Sequence, residues 1–141
     1  MPLKYYPREG EIVVCDYHGF TAPEMTKARP VIIVSPRLRR RGELASIVPL
    51  STTAPDSVEN YHCRIELIAP LPAPFDAEVM WAKCDMISTV SLSRLDRFKK
   101  PRGLNGAQRL WATGQLSSDQ ILNVKRAVLC GLGFSSLTIH V

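Results

Sequence analysis

Apolar and polar positions along this chain fall into two regimes. Up to about residue 98 the apolar residues come in short, β-branched runs between Pro, Gly and Asp turns: Glu11 to Tyr17, Pro30 to Ser35, Leu44 to Leu50, Tyr61 to Leu67, Val79 to Asp85 and Met86 to Val90. In Tyr61 to Leu67 the alternation is strict, with Tyr61, Cys63, Ile65 and Leu67 on one face and His62, Arg64 and Glu66 on the other. A two-residue period marks a half-buried strand, and short strands at this spacing predict a small barrel or sandwich. Two connections are too long for tight hairpins: Gly19 to Arg29, and Ala69 to Asp76, where three prolines hold the backbone extended. Long loops on a small barrel are where function concentrates.

The second regime begins after the turn signals Pro101-Arg102-Gly103 and Asn105-Gly106. Ser117 and Gln120 have capping-box spacing, and Ile121, Val124, Val128 and Leu132 then form one apolar stripe, with Gly131 at the C′ position. The pattern predicts a helix over about 117–131 that packs on the barrel or lies across a dimer interface. The expected organisation is a single domain over 1–141: a barrel over about 8–98, a loop over 99–116, and the helix.

Composition narrows the class. A chain of 141 residues with 45% hydrophobic and 22% charged positions can build one core and is not a disordered chain. No apolar run approaches the roughly 20 residues of a membrane span, and the start, Met1 to Glu9, has no secretory h-region, so the expected location is the cytoplasm. The four cysteines, Cys15, Cys63, Cys84 and Cys130, are far apart, without a CxxC pair, and read as buried reduced thiols. His18, His62 and His140 are equally scattered, so neither a metal site nor a cofactor is expected.

The net charge is +5, and its distribution says more than its size. Half of the eighteen basic residues lie in two short segments: Arg37, Arg39, Arg40 and Arg41, and then Arg94, Arg97, Lys99, Lys100 and Arg102. Such patches are what a polyanion-binding surface requires, and they are equally the mark of two solvated loops. The remaining candidates sit at strand ends: Arg29 before its strand, Ser51-Thr52-Thr53 after one, and Lys83-Cys84-Asp85 at the end of another. On a strand, Lys83 and Asp85 share one face, as a structural salt bridge or as an acid/base pair. Ser51-Thr52-Thr53 has a plainer reading as a turn that hydrogen-bonds its own backbone. Trp81, on the same strand face as Lys83, is either a stacking surface or a core residue.

Four segments in order carry a resemblance: Gly10-Glu11-Ile12-Val13, Lys27 to Pro36 (KARPVIIVSP), Val48-Pro49-Leu50-Ser51-Thr52, and Lys83-Cys84-Asp85. Together they resemble the PemK/MazF family, the toxins of type II toxin–antitoxin systems. Pro23-Glu24-Met25 and Trp81 to Met86 resemble its YifN-type branch in particular. The resemblance implies a small SH3-like barrel of the PemK/MazF/CcdB fold with a C-terminal helix, usually a homodimer. It implies metal-independent endoribonuclease cleavage of single-stranded RNA by 2′-hydroxyl attack, and neutralisation by an antitoxin with an acidic, partly disordered tail. By the same resemblance Arg29 would face the phosphorane, Ser51 and Thr52 would hold the scissile phosphate, and Asp85 would be the base, with Lys83 beside it. Glu24 and the basic residues Arg37, Arg39, Arg40 and Arg97 would contact substrate if the two basic loops share one rim. Two positions depart from the family: Lys83 stands where several members have arginine, and Pro23 where some have histidine. Two other readings follow from the fold: a partner-blocking protein, as with DNA gyrase, acting through Gly131 to Val141, and a non-catalytic RNA-binding module.

Overall fold

The computed structural model describes residues 3–100 and 111–141. Ten strands appear in chain order: β1 (Glu11–Cys15), β2 (Arg29–Ile33), β3 (Leu44–Ser51), β4 (His62–Glu66), β5 (Val79–Lys83), β6 (Ser88–Ser91), β7 (Leu95–Asp96), β8 (Phe98–Lys99), β9 (Trp111–Ala112) and β10 (Gly114–Gln115). Among the described residues one α-helix, α1, spans Ser118–Gly131. The main sheet runs β10-β1-β2-β3-β5-β4, with β6 also on β3 and β7 also on β1, and β8 pairs with β9. Every pairing is antiparallel.

Strand β3 makes the sheet curl. Its first residues pair with β6 (Leu44 to Ile47), its middle with β2 (Ile47 to Pro49), and its last two, Leu50 and Ser51, with β5. A single strand that passes from one set of neighbours to another folds the sheet over itself, which is how a small barrel closes with few residues.

Alternation then divides the side chains between two faces. Ile12, Ile32, Val48, Leu50, Ile65, Met80 and Ala82 point to one side, where Val124, Ala127 and Val128 of α1 cover them, along with Leu71, Phe98 and Leu116. Val13, Cys15, Val31, Ile33, Ala45 and Ile47 point to the other, where Leu3, Tyr17, Val90 and Leu95 pack on them. Burial on both faces explains why β1 and β2 read as unbroken apolar runs. Strand β4 alternates because only one of its faces is covered: Ile65 is buried while Arg64 and Glu66 are exposed.

The helix begins as expected. The Ser117 hydroxyl accepts from the Gln120 N–H, and the Gln120 side chain accepts from the Ser117 N–H. Its end differs. Leu132 is the C-cap, and Gly133, not Gly131, is the C′ residue at φ +85°. The Phe134 N–H donates to Leu129 O and the Gly133 N–H to Cys130 O, the paired bonds of a Schellman motif. Leu132 is therefore exposed, and Ala127 takes its place in the buried stripe. Gly131 serves packing: a Cβ there would lie 3.0 Å from the Asp85 Cα, so only glycine lets the helix press this closely on that turn. Among the described residues no helix is long and apolar enough to cross a membrane.

Candidate active site

Arg29 opens β2 and shares its parity with Val31 and Ile33, so it continues the second face rather than the helix-covered one. In register, Ser51 lies opposite Trp81, Trp81 opposite Arg64, and Lys83 opposite His62. Met80 and Ala82 alternate with them into the core. Arg29, Ser51, Trp81, Lys83, Arg64 and His62 therefore belong to one face of the sheet. Trp81 and Lys83 are half-buried on it, which settles Trp81 as an outward residue and not a core one.

Beside Arg29 is a cleft of about 300 Å³, with Thr52, Lys27, Leu50, Pro74 and Phe75 in its walls. Arg29 and Thr52 thus meet across one space, brought there by the start of β2 and the end of β3. Ser51, nearly buried, is held differently: its Oγ accepts the Thr53 N–H at 3.1 Å, the self-bonded turn that its sequence allowed. Pro74 and Phe75 also wall a neighbouring groove whose other side carries Arg97 and Lys99. The proline-rich loop is therefore a partition between Arg29 and that basic strand.

A smaller cavity of about 230 Å³ lies under the first long loop, lined by Tyr17, Glu24, Met25, Met86 and Ser88 among others. Glu24 is exposed at this cavity, and its Oε2 accepts the Thr21 N–H at 2.8 Å, which shapes the loop. Three buried polar atoms here have no hydrogen-bond partner among the described residues: Tyr17 Oη, Ser88 Oγ and Arg29 Nε. Burial pushes the Tyr17 phenol well above its usual range; the Arg29 charge and the Ser88 hydroxyl beside it pull the other way, more weakly. Sequence reasoning missed Tyr17 and Ser88; the one available signal was that Tyr17 shares parity with Val13 and Cys15.

Lys83 and Asp85 do not share a strand face. Strand β5 ends at Lys83, whose ψ of 83° turns the chain, and Asp85 lies in a 3₁₀ turn over Cys84–Met86. The cause is Cys84, which is fully buried and anchors the turn, with its N–H donated to Tyr61 O. No ion pair joins Lys83 to Asp85 among the described residues, so the salt-bridge alternative is not what forms. Asp85 is exposed, and the turn's last residue, Met86, lines the Glu24 cavity.

The first basic segment lies away from the Arg29 cleft. Arg37, Arg39, Arg40 and Arg41 are exposed on the β2–β3 connection. Arg29 and Ser51 occupy the opposite ends of those strands, roughly 15–20 Å away at about 3.3 Å per residue. The second segment does reach the Arg29 end, since Cys15 pairs with both Arg29 and Leu95. Within it Arg94 is structural: its Nη1 donates to Asp16 O at 2.9 Å and His18 O at 2.6 Å, and it stacks over Phe20. Arg102, the last member, lies outside the described residues, as do the turn signals at 101–106. All four cysteines are free, with Cys15 and Cys84 buried. Among the described residues no group of three or more His, Cys, Asp or Glu is placed to hold a metal ion.

Comparison with known proteins bears on the fold and the family. An uncharacterised protein of Escherichia coli (strain K12), YifN, is 26% identical, with 97% of this chain and 99% of that protein aligned. An endoribonuclease in complex with its cognate antitoxin, from a mycobacterial species, superposes with a TM-score of 0.58 at 21% identity, covering 90% of this chain and 95% of the other. MazF from Deinococcus radiodurans superposes at 0.58 with 17% identity, over 92% and 99% of the two chains. The profile of the PemK-like, MazF-like toxins of type II toxin–antitoxin systems matches residues 8–130, and the chain belongs to that family.

Proposed function

We propose that this toxin is an endoribonuclease that cuts single-stranded RNA without a metal. The observation that carries the reading is the cleft beside Arg29: the half-buried Arg29 at the start of β2 and Thr52 just past the end of β3 line one space of about 300 Å³. The family supports it, as do structural neighbours described as endoribonucleases.

The chemistry follows from the groups at hand. Asp85 takes the proton of the ribose 2′-hydroxyl, and the 2′-oxygen attacks the adjacent phosphorus. Arg29 and Thr52 hold the phosphate oxygens, and the guanidinium fork carries the charge that builds on the phosphorane. The bond to the 5′-oxygen breaks as Lys83 gives that oxygen a proton, which lysine does far more readily than arginine. The products are a 2′,3′-cyclic phosphate and a 5′-hydroxyl. Glu24 lines the separate cavity under the first long loop, and Arg97 supplies positive charge beyond the Phe75 partition. The distant arginines, Arg37, Arg39 and Arg40, contact RNA only where the strand runs on past the cleft.

The physiological partner in this reading is an antitoxin whose acidic segment folds over the cationic surface, as the complexed neighbours of the family suggest by analogy. A homodimer also belongs to it, and Leu132, Phe134, Leu137 and Ile139, all exposed around the end of α1, are the apolar surface for it. The test is incubation of the protein with a long single-stranded RNA in EDTA, beside Asp85→Ala and Arg29→Ala. Discrete cuts with 5′-hydroxyl ends, lost in both variants while their melting temperatures hold, are expected. Intact RNA with the unaltered protein would overturn the reading.

A further inference from the structure

The face that carries Arg29 does not end at the cleft. Carrying the β2–β3 register past Val31↔Pro49 sets Arg29 opposite Ser51, and from there one row crosses the sheet through Trp81 to Arg64. Neighbouring strands are about 4.8 Å apart, so Trp81 lies about 10 Å from Arg29 along that row. The next row holds Lys83 opposite His62. The His62 Nδ1 accepts the Glu59 N–H at 3.0 Å, which leaves the proton of the neutral ring on Nε2 as a donor.

We propose that Trp81 and Arg64, with Lys83 and His62 beside them, form a nucleotide platform that holds single-stranded RNA flanking the cut phosphate. The inference rests on the endoribonuclease reading and names where the rest of the substrate lies. Trp81 is half-buried on an outward position, and among the described residues no ring or cation stacks on it. A flat indole flanked by a guanidinium, an ammonium and an imidazole is the surface that unpaired bases and their phosphates use: the ring accepts any base by stacking, and the cations follow the backbone. The counter-charge on the face is Glu66, which pairs with Arg64 at 2.5 Å and is itself exposed, so a phosphate can replace it. The same composition argues against a second copy of the chain as occupant, because one half-buried ring among cations offers no contiguous apolar patch.

The experiment uses the full chain with Trp111→Phe, which leaves Trp81 as its one tryptophan. A single-stranded RNA oligonucleotide bearing 2′-O-methyl groups, which cannot be cut by 2′-hydroxyl attack, is titrated against it while indole emission is followed. Saturable quenching is expected, and Arg64→Ala should weaken it while lowering the salt slope of binding by about one. On cleavable RNA, Trp81→Ala should raise KM by about 5- to 150-fold with kcat unchanged, the range for loss of one stacked base. Trp81→Phe, which keeps a ring, should recover most of the loss. If the unaltered protein cuts RNA while Trp81→Ala leaves KM where it was and the emission stays flat, the platform is wrong and the endoribonuclease stands. If the unaltered protein neither cuts nor binds RNA, the underlying reading fails and the platform with it. Emission that responds to an acidic peptide or to protein concentration, and not to RNA, assigns the face to a protein and overturns the platform.

Discussion

One face of one sheet behaves in two ways. Across β1, β2 and the first part of β3 it is sealed: Val13, Val31, Ile33 and Ile47 are wholly buried under Tyr17, Leu95 and Val90. Across the end of β3, β5 and β4 the same face carries Ser51, Trp81, Lys83, Arg64 and His62, and no strand or helix of the described residues covers the outward side of β4. Arg29 stands at the boundary, with the buried apolar row on one side and the cleft on the other. The difference shows how a chain this small holds a guanidinium in place: the sealed half supplies rigidity, and the open half supplies access.

The largest effects should separate the halves. Ile33→Ala in the sealed half removes wholly buried methylenes and should cost about 2–4 kcal/mol of stability, read as a lowered urea midpoint with cleavage by the surviving folded protein intact. Arg64→Ala in the open half should leave that midpoint within about 0.5 kcal/mol, since its ion pair with Glu66 is exposed. Equal stability losses at the two positions would show that the open half is covered too, and would erase the contrast.

A second, smaller separation is in pH. Burial pushes the Cys15 thiol from its ordinary 9.0 up to about 12, with Arg94 pulling back weakly. A raised folded pKa means the folded chain keeps its proton after the unfolded chain has lost it. Stability from this group is therefore complete below about pH 9 and falls as pH rises towards 12. The buried Tyr17 adds to the same alkaline loss. Denaturation midpoints at pH 7, 9 and 10.5 should fall in that order, and Cys15→Ala should shallow the fall; an unchanged slope would place the loss elsewhere.

How much of this was legible follows the same division. The β-branched runs and the capping box mark β1 to β6 and α1 within a few residues, because strand alternation and helix caps are local properties. Arg29, Thr52, Lys83 and Asp85 stood out as polar residues at strand ends, but their roles came only from the family resemblance, since an Arg-Pro or a Lys-Cys-Asp does not by itself name a chemistry. The second buried face was not legible, because an unbroken run such as VII gives no clue to what covers its far side. The 3₁₀ turn at Asp85 packs closely on Gly131, forty-six residues on, a contact that no local pattern announces. The outward Trp81 was in the alternation of Val79 to Lys83, with Met80 and Ala82 as its buried neighbours, but an indole is so often core that composition argued the other way. The distance of Arg37 to Arg41 from the cleft was hidden too, because a strand separates its two ends by its own length, which charge counting along a sequence does not see.

The smallest expected effect has the sharpest sign. Tyr17 sits where the halves meet, 2% exposed, with its hydroxyl, the Ser88 hydroxyl and the Arg29 Nε all buried and without partners among the described residues. A buried hydroxyl that makes no hydrogen bond costs about 1–3 kcal/mol of desolvation, while the ring beneath it, edge-on to Phe20 at 5.1 Å, keeps its packing when the oxygen is removed. Tyr17→Phe should therefore stabilise the protein by about 1 kcal/mol, a rise in melting temperature of roughly 3–4 °C for a chain of this size. A fall of similar size would mean that an ordered water joins the three atoms, since a water with three partners is costly to remove. In that case Arg29 is held from behind through the water, and Tyr17→Phe should slow cleavage as well as loosen the fold; a stabilised variant with unchanged cleavage shows that the apolar half alone keeps Arg29 in place.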